Sequence, residues 1–197
     1  MSLFKTHDVA DYAQPQHRQA SVVTTEDQAT TTLLLRENST LTDCWPPLTA
    51  GQTVHSASAG LWSCHDLLFH LLRQTGPARV WIATWSMTEE PVRMLVQGLE
   101  AGLITELRAL LDVRVKVRNP SVWAFARHNL AKVSLSICHA KVTVIESERW
   151  AIAINGSPNY TNNPRIESGV VSTSREVAAF HRTWIDAEIN KAKPFAP

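Results

Sequence analysis

Strand-like and helix-like segments alternate along most of this chain of 197 residues, and this order limits the folds open to it. Residues 79–85 form an apolar run typical of a buried strand. The acidic residues that follow, together with Pro91, are the start signals of a helix that ends near Ala101. Such alternation predicts an α/β domain with a mixed β-sheet covered by helices on both faces.

Apolar periodicity and turn residues predict the remaining elements. Further helices are expected over residues 64–74, 121–128 and 175–193, and further strands over residues 33–35, 104–112, 150–154 and 169–172. Residues 132–146 are expected to form one long strand or a strand pair, and a helix over residues 106–111 is an alternative to a strand there. Residues 1–50, which are polar and rich in turn residues, are interpreted as an N-terminal extension or arm that could wrap a partner chain.

Composition argues against several classes of protein. No apolar run approaches the roughly 18 residues that a membrane span needs, and the first residues lack the apolar core of a secretory signal. We therefore expect a cytoplasmic protein. Cys44, Cys64 and Cys138 are odd in number and widely spaced, which argues against a disulfide framework and against a zinc site.

Two polar motifs stand at neighbouring positions of the predicted sheet. His139 and Lys141 are two residues apart in a strand-like run, so their side chains are expected to project from the same face. After the next predicted strand come Gly156, Ser157 and Asn159, whose loop is expected to emerge beside the same sheet. An imidazole and an ammonium group would then share one pocket with the polar side chains of this loop.

The spacing of these residues resembles the HxKxxxxD and GSxN signature of the phospholipase D superfamily, in which a further acidic residue follows. The matching positions are His139, Lys141, Glu146, Gly156, Ser157, Asn159 and Glu167. Glu146 stands where the signature has aspartate, at a position that acts mainly in structure in that family. The resemblance covers residues 137–170 directly and implies a phospholipase D-like fold, with residues 51–197 as the catalytic domain.

The resemblance implies phosphodiester hydrolysis through a covalent phosphohistidine, with His139 as the nucleophile. Lys141 and Asn159 would stabilise charge on the non-bridging oxygens, and Ser157 would add a hydroxyl donor. Glu167 would accept a hydrogen bond from the second ring nitrogen of His139, with a surface ion pair as the alternative role of this carboxylate. Because lysine and imidazole supply the positive charge, this chemistry requires no metal ion or other cofactor.

The signature occurs once in this chain, whereas members of the superfamily build one active site from two copies of it. A complete site would then need two chains, whose signature residues meet across a two-fold axis. We therefore expect a homodimer with a composite active site, similar to the small dimeric bacterial phospholipase D-like endonucleases.

Positive charge is concentrated ahead of the signature, although the net charge of the chain is only +1. The stretch that ends at the HxK motif has one acid, Asp112, and seven basic residues: Arg108, Arg114, Lys116, Arg118, Arg127, Lys132 and Lys141. Such an excess attracts a polyanion. We expect substrate contacts from Gly156 and from four of the basic residues, Arg114, Lys116, Arg118 and Arg127.

Two alternatives remain for this stretch. Its charge could form a solvated surface that acidic residues balance elsewhere in the fold. Trp123 and Phe125 could stack on bases, although at least one of them is expected to pack in the core.

The pattern favours a nuclease that cleaves DNA or RNA, with nucleic acid as the partner. A lipid hydrolase is an alternative that would need an apolar surface, which residues 45–48 or Trp62 could begin. A catalytically idle nucleic-acid-binding module is the other alternative.

Overall fold

A computed structural model gives the structure of the protein and describes residues 29–34 and 40–191. The strands are β1 (Ala29–Leu34), β2 (Gln52–Ala59), β3 (Ala78–Thr84), β4 (Ile104–Asp112), β5 (Lys132–Ser136), β6 (Val142–Glu146), β7 (Ala151–Gly156) and β8 (Ile166–Ser172). The helices are α1 (Leu41–Cys44), α2 (Cys64–Thr75), α3 (Glu89–Glu100), α4 (Val113–Arg118), α5 (Pro120–Asn129) and α6 (Arg175–Lys191).

The strands form one eight-stranded mixed sheet in the order β1-β2-β8-β7-β6-β3-β4-β5. The β1–β2, β3–β4 and β4–β5 pairs are parallel, and the other neighbours are antiparallel. In this arrangement β3, β4 and β5 end at the same edge of the sheet at which β6 begins and β7 ends. We call this edge the carboxyl edge.

Helices cover both faces of the sheet, as the alternation of segments predicts. Side chains of α2, α3 and α5 pack with Val80 and Ile82 on one face. On the other face, Ala178 and Ile185 of α6 pack against Trp81. The near-complete burial of β3 follows from these two layers, and it explains why this strand is a continuous apolar run.

Local signals fix the ends of α2. The Ser63 hydroxyl accepts a hydrogen bond from the backbone N–H of Asp66, and the Asp66 carboxylate accepts one from the backbone N–H of Ser63. At the other end Gly76 adopts a φ of 71° and ends the helix within one residue of the predicted end at residue 74. No helix in the described parts of the chain combines the length and apolarity required to cross a bilayer.

Most of the predicted elements are confirmed, with small differences at their ends. Residues 104–112 form strand β4, so the alternative helix over residues 106–111 is wrong. The basic segment before Pro120 is a helix of its own, α4, and β8 begins three residues earlier than expected. The polar strand β2 was not predicted. Because residues 1–28, 35–39 and 192–197 lie outside the described residues, the domain boundary at residue 50 stays a prediction.

The expectation that His139 and Lys141 lie within a strand is wrong. Residues 137–141 form a crossing segment between β5 and β6, which are separated in the sheet by β4 and β3. With a strand spacing of about 4.8 Å, the chain must travel roughly 14 Å across the sheet here, so it cannot continue the ladder. This crossing brings His139 over the carboxyl edge.

Candidate active site

The sequence motifs converge at the carboxyl edge of the sheet. The HxK motif crosses the ends of β3 and β4, and the loop that contains Ser157 and Asn159 leaves the end of β7. Ligands of open α/β sheets bind outside the carboxyl ends of parallel strands, which is the position of this cluster.

Asp112, at the end of β4, anchors the crossing segment. One of its carboxylate oxygens accepts a hydrogen bond from the backbone N–H of Cys138 at 2.9 Å. The other oxygen accepts a bond from the backbone N–H of Arg114, also at 2.9 Å, and so caps α4. The Asp112 residue is only 3% exposed, so this buried carboxylate fixes the loop before His139 and the first turn of α4 together.

His139 and Lys141 lie side by side, as their spacing predicts, although the backbone between them is not a strand. The Lys141 ammonium donates to the His139 carbonyl at 3.0 Å and lies 3.3 Å and 3.4 Å from the two ring nitrogens. His139 is exposed. Partial burial lowers the pKa of Lys141 from its ordinary value.

Backbone hydrogen bonds hold the Gly-Ser-Pro-Asn loop against the HxK motif. The N–H of Gly156 donates to the Lys141 carbonyl at 3.3 Å, and the N–H of Ser157 donates to the Ser168 carbonyl at 2.9 Å. A Cβ atom at Gly156 would meet the Ser168 carbonyl oxygen at 2.6 Å and the Gly169 Cα at 2.9 Å. The position therefore requires glycine because two backbones approach each other closely there.

Asn159 lies next to the end of β3. Its side-chain oxygen is 3.5 Å from the Thr84 hydroxyl, which also donates to the Ser86 carbonyl at 3.0 Å. The following residue, Tyr160, is buried and forms a β-bridge with Met87. Because the amide oxygen is turned towards Thr84, the amide nitrogen is the end that can donate to a bound anion.

Three buried polar side chains, those of Tyr160, Thr143 and Cys64, pack together beneath the end of this loop. The Tyr160 hydroxyl and the Thr143 hydroxyl are 2.6 Å apart, and the Cys64 thiol lies 3.9 Å from Thr143. Burial raises the pKa of the Tyr160 hydroxyl and raises the pKa of Cys64 to about 11. Both groups are therefore neutral near pH 7, which is consistent with a role in packing.

Glu167 is hydrogen-bonded to its own loop. One carboxylate oxygen accepts a hydrogen bond from the Ser157 hydroxyl, and the other accepts one from the Asn163 amide at 2.6 Å. Within the described residues of a single chain, Glu167 forms neither a hydrogen bond to His139 nor an ion pair. Its predicted role in orienting the imidazole stays a prediction.

The basic stretch divides into residues at the site and residues elsewhere. Arg114 and Arg118 point towards Trp85 at the carboxyl edge. Lys116, two residues from each of them, lies on another side of α4 by helical spacing. Arg127 is in the last turn of α5, which runs back towards the opposite edge of the sheet, so the structure does not bring it to the site.

The alternative of charge balance holds in part: Arg114 Nε lies 3.9 Å from the Asp112 carboxylate, and two other basic residues are paired with acids. Arg108 pairs with Glu106 and Asp186, and Lys132 pairs with Glu106. Trp123 is buried in the core, as expected for at least one aromatic residue of this stretch.

Trp85 is a site residue that the sequence analysis did not identify. It follows β3 directly, and its ring lies edge-on to the His139 ring with 5.4 Å between the ring centres. A tryptophan after the last residue of a buried strand was a signal for this position, because the carboxyl ends of such strands face the ligand.

Glu146 lies at the far end of β6 from Lys141. Its carboxylate accepts hydrogen bonds from Arg79 of β3 and Arg182 of α6, each at 2.9 Å, and its side chain is 12% exposed. These contacts agree with the structural role that the resemblance implies for the position. They do not place Glu146 in the site.

In the part of the chain that the structure describes, no group of three or more His, Cys, Asp or Glu side chains is arranged to hold a metal ion. A cleft begins at Lys141 and runs between β8 and α2, lined among others by Trp62, Gly156 and Glu167. It is a concave surface directly beside the HxK motif.

No protein-family model matches this chain, and no curated protein matches it either. Solved structures match in fold. NucT from Helicobacter pylori is 17% identical, with a TM-score of 0.55 over 73% of this chain and 99% of NucT. Nuc from Salmonella typhimurium, a phospholipase D family member, is 15% identical, with a TM-score of 0.57 over 74% of this chain and 98% of Nuc.

Polyphosphate kinase from Porphyromonas gingivalis shares the fold over 74% of this chain and 24% of its own length, at 8% identity and a TM-score of 0.54. At these identities the likeness is one of fold. The chain has the α/β fold of a phospholipase D family member, as its sequence signature predicts.

Proposed function

We propose that this chain, which has a phospholipase D-like fold, is a metal-independent phosphodiesterase that acts as an endonuclease on DNA or RNA. The observation that carries the proposal is the meeting of two motifs distant in sequence. The Lys141 carbonyl accepts the backbone hydrogen bond of Gly156, so the Gly-Ser-Pro-Asn segment lies directly beside the HxK motif, whose His139 imidazole is exposed.

In the proposed reaction a ring nitrogen of His139 attacks the phosphorus of a phosphodiester. A phosphorus–nitrogen bond forms as the bond to the leaving oxygen breaks, and a second imidazole donates a proton to that oxygen. Water then attacks the phosphohistidine, loses its proton to the second imidazole and releases His139. The two steps together consume one water molecule and restore both side chains.

The neighbouring residues supply charge where the transition state needs it. The Lys141 ammonium lies within 3.4 Å of both ring nitrogens of His139, so it would contact the non-bridging oxygens of a phosphate bound there. The Asn159 amide adds N–H donors from the other loop. The Ser157 hydroxyl, which now donates to Glu167, would stabilise the loop and offer a further polar contact.

A second copy of the chain would supply the second imidazole. One HxK motif is present per chain, and His139 is exposed at the surface rather than enclosed. We propose a homodimer in which the two His139 side chains face each other across a two-fold axis.

The charges around the site favour a nucleic acid over a phospholipid. Arg114 and Arg118 lie against Trp85, whose ring packs on the His139 imidazole, and they suit a substrate with more than one phosphate. Trp45, a candidate for contact with a lipid surface, is only 5% exposed and packs in the core. Trp62, the other candidate, is half-buried and offers only part of its ring to a lipid surface.

Cleavage of plasmid DNA and of labelled DNA and RNA oligonucleotides in the presence of EDTA tests the proposal. We expect hydrolysis to persist with EDTA, and to fall by about a thousandfold or more in His139→Asn, because the nucleophile is lost. Thermal unfolding of the variant checks that its fold is unchanged, which the exposure of His139 leads us to expect. Retention of a tenth of the wild-type rate would contradict the role of His139.

The same preparation separates the alternatives. Choline release from phosphatidylcholine vesicles, without nucleic acid cleavage, would identify a lipid hydrolase. Salt-dependent DNA binding that His139→Asn leaves unchanged, with no cleavage by the wild type, would identify an idle binding module.

A further inference from the structure

Trp85 lies at the centre of a group of positively charged side chains beside the HxK motif. The guanidinium carbons of Arg114 and Arg118 are 5.4 Å and 5.6 Å from the centre of its ring, and the Lys141 ammonium is 5.7 Å away. The same ring packs edge-on against His139. We call Trp85, Arg114 and Arg118 the Trp85 cluster; none of its members belongs to the HxK or GSxN motif.

The two arginines are presented by one short helix. They are four residues apart in α4 and therefore share a face, whereas Val113 and Val115 of this helix are buried. Asp112 caps α4 and also binds the backbone of the segment before His139. The helix that carries the arginines and the loop that carries the imidazole are therefore fixed to the same carboxylate.

We propose that the Trp85 cluster is a subsite for a phosphate next to the scissile one in a nucleic acid strand, and that Trp85 is its positioning residue. The inference rests on the proposed function and makes it more specific. The enzyme selects a chain of phosphodiesters over an isolated one.

The chemistry of arginine suits this arrangement. A guanidinium stacks on an aromatic ring through its flat face, while its N–H groups lie in the plane of the group and bind phosphate oxygens at its edge. Stacking therefore orients the arginine through its face rather than through the edge that recognises phosphate. In Arg114 the Nε lies 3.9 Å from Asp112 Oδ1, which adds to this orientation. Because the Trp85 ring also contacts His139, it sets the separation between the subsite and the reacting phosphorus.

Arg114 and Arg118 are exposed, as a substrate-binding surface requires. A substrate with a single phosphate would place that phosphate against Lys141. It would have no second negative charge for the two arginines to bind. The small diester bis(p-nitrophenyl) phosphate would bind at the HxK motif and leave the Trp85 cluster unoccupied. An oligonucleotide occupies both.

Steady-state hydrolysis of an oligonucleotide and of bis(p-nitrophenyl) phosphate by Arg114→Ala/Arg118→Ala tests the subsite. We expect the ratio of the two kcat/KM values, oligonucleotide over small diester, to fall about tenfold, mainly through a higher oligonucleotide KM. Arg73→Ala is the matched control, since it removes an exposed arginine from the last turn of α2, at the opposite edge of the sheet. Its ratio should equal that of the wild type.

Trp85→Ala tests the positioning role. It should lower the same ratio, and its effect should not add to that of the double arginine variant, because both changes remove one subsite. Trp85→Phe keeps an aromatic face for stacking and should retain most of the ratio. Phenylalanine also removes the indole N–H, which is buried without a hydrogen-bond partner among the described residues, so this variant is expected to fold.

Binding to a DNA oligonucleotide in the His139→Asn background gives a second readout. Removing both arginines should reduce the slope of log K against log salt concentration by about 1, because the subsite holds one phosphate, and a purely structural role would leave the slope unchanged. An unchanged ratio and an unchanged slope would overturn the subsite while leaving the proposed hydrolysis intact. If the wild type cleaves neither substrate, the proposed function fails first and the subsite fails with it.

Discussion

At the scale of single residues, the ionisation of Lys141 is expected to control activity at alkaline pH. Burial lowers its pKa, so the ammonium that the reaction needs is lost at a lower pH than in a free lysine. With bis(p-nitrophenyl) phosphate the leaving group departs without a proton, and the alkaline limb then reports the lysine rather than a general acid. As the pH is raised, we expect kcat/KM to decrease with a midpoint below 10.5, the ordinary pKa of this group.

A bound phosphodiester anion beside the ammonium raises its pKa, so the alkaline limb of kcat should lie at higher pH than that of kcat/KM. Lys141→Arg is the control, because a guanidinium keeps its charge throughout the accessible range. Initial rates measured across the alkaline range check both statements. If Lys141→Arg showed the same alkaline limb as the wild type, another group would be titrating.

The residues of the site differ in how far sequence could reveal them. His139, Lys141, Gly156 and Asn159 are recognisable because their spacing is fixed along a short stretch of chain. Trp85 is not, since its contact with His139 joins positions more than fifty residues apart in sequence and arises from the crossing of residues 137–141 over β3. A charge count likewise selected Arg127 together with Arg114, because a count contains no information about which edge of the sheet a helix end approaches.

At the scale of elements, Glu146 links β6 to β3 and to α6 through Arg79 and Arg182. We expect Glu146→Gln to lower the free energy of unfolding by about 1 kcal/mol, since the two arginines are partly exposed and solvent screens the pairs. Urea unfolding measures the change, and Glu148→Gln, at the exposed turn after β6, is the control.

Activity should be unaffected by Glu146→Gln, because the residue lies at the opposite end of β6 from Lys141. Glu146→Asp should lower the free energy of unfolding by a similar amount to Glu146→Gln, because the shorter side chain reaches Arg79 and Arg182 less well. A tenfold loss of hydrolysis with normal stability would show that the position acts in the chemistry after all.

Elements whose own side chains are buried were predictable, and those that depend on neighbours were not. Val80 and Leu110 belong to runs that are apolar because both faces of the sheet are covered. Strand β2 contains mainly polar and small residues, with Val54 as its large apolar side chain, and it forms because β1 and β8 pair with it on either side. Tertiary pairing of this kind leaves no periodic signal in the strand itself.

At the scale of the whole molecule, the sheet order explains why one chain offers half of the proposed site. Among the described residues the chain crosses from β5 to β6 once, and this crossing carries the exposed His139 imidazole to the carboxyl edge. The proposed two-step reaction uses a nucleophile and a proton donor, and we propose that the second imidazole comes from another copy. The surface that would contact the partner has no periodic pattern of apolar residues in the sequence. The proposed association therefore follows from the single HxK motif and not from sequence patterning.

Subunit exchange between wild type and His139→Asn tests the composite site. At a fixed amount of wild type, an equal amount of the variant should reduce activity to about half, because mixed dimers contain one His139 side chain instead of two and do not turn over. The same mixture assayed before exchange is the control and should retain full activity, with substrate in excess so that the variant does not sequester it. Light scattering after size exclusion gives the mass of the active species. Full activity after complete exchange, or an active monomer, would show that each chain has a complete site of its own.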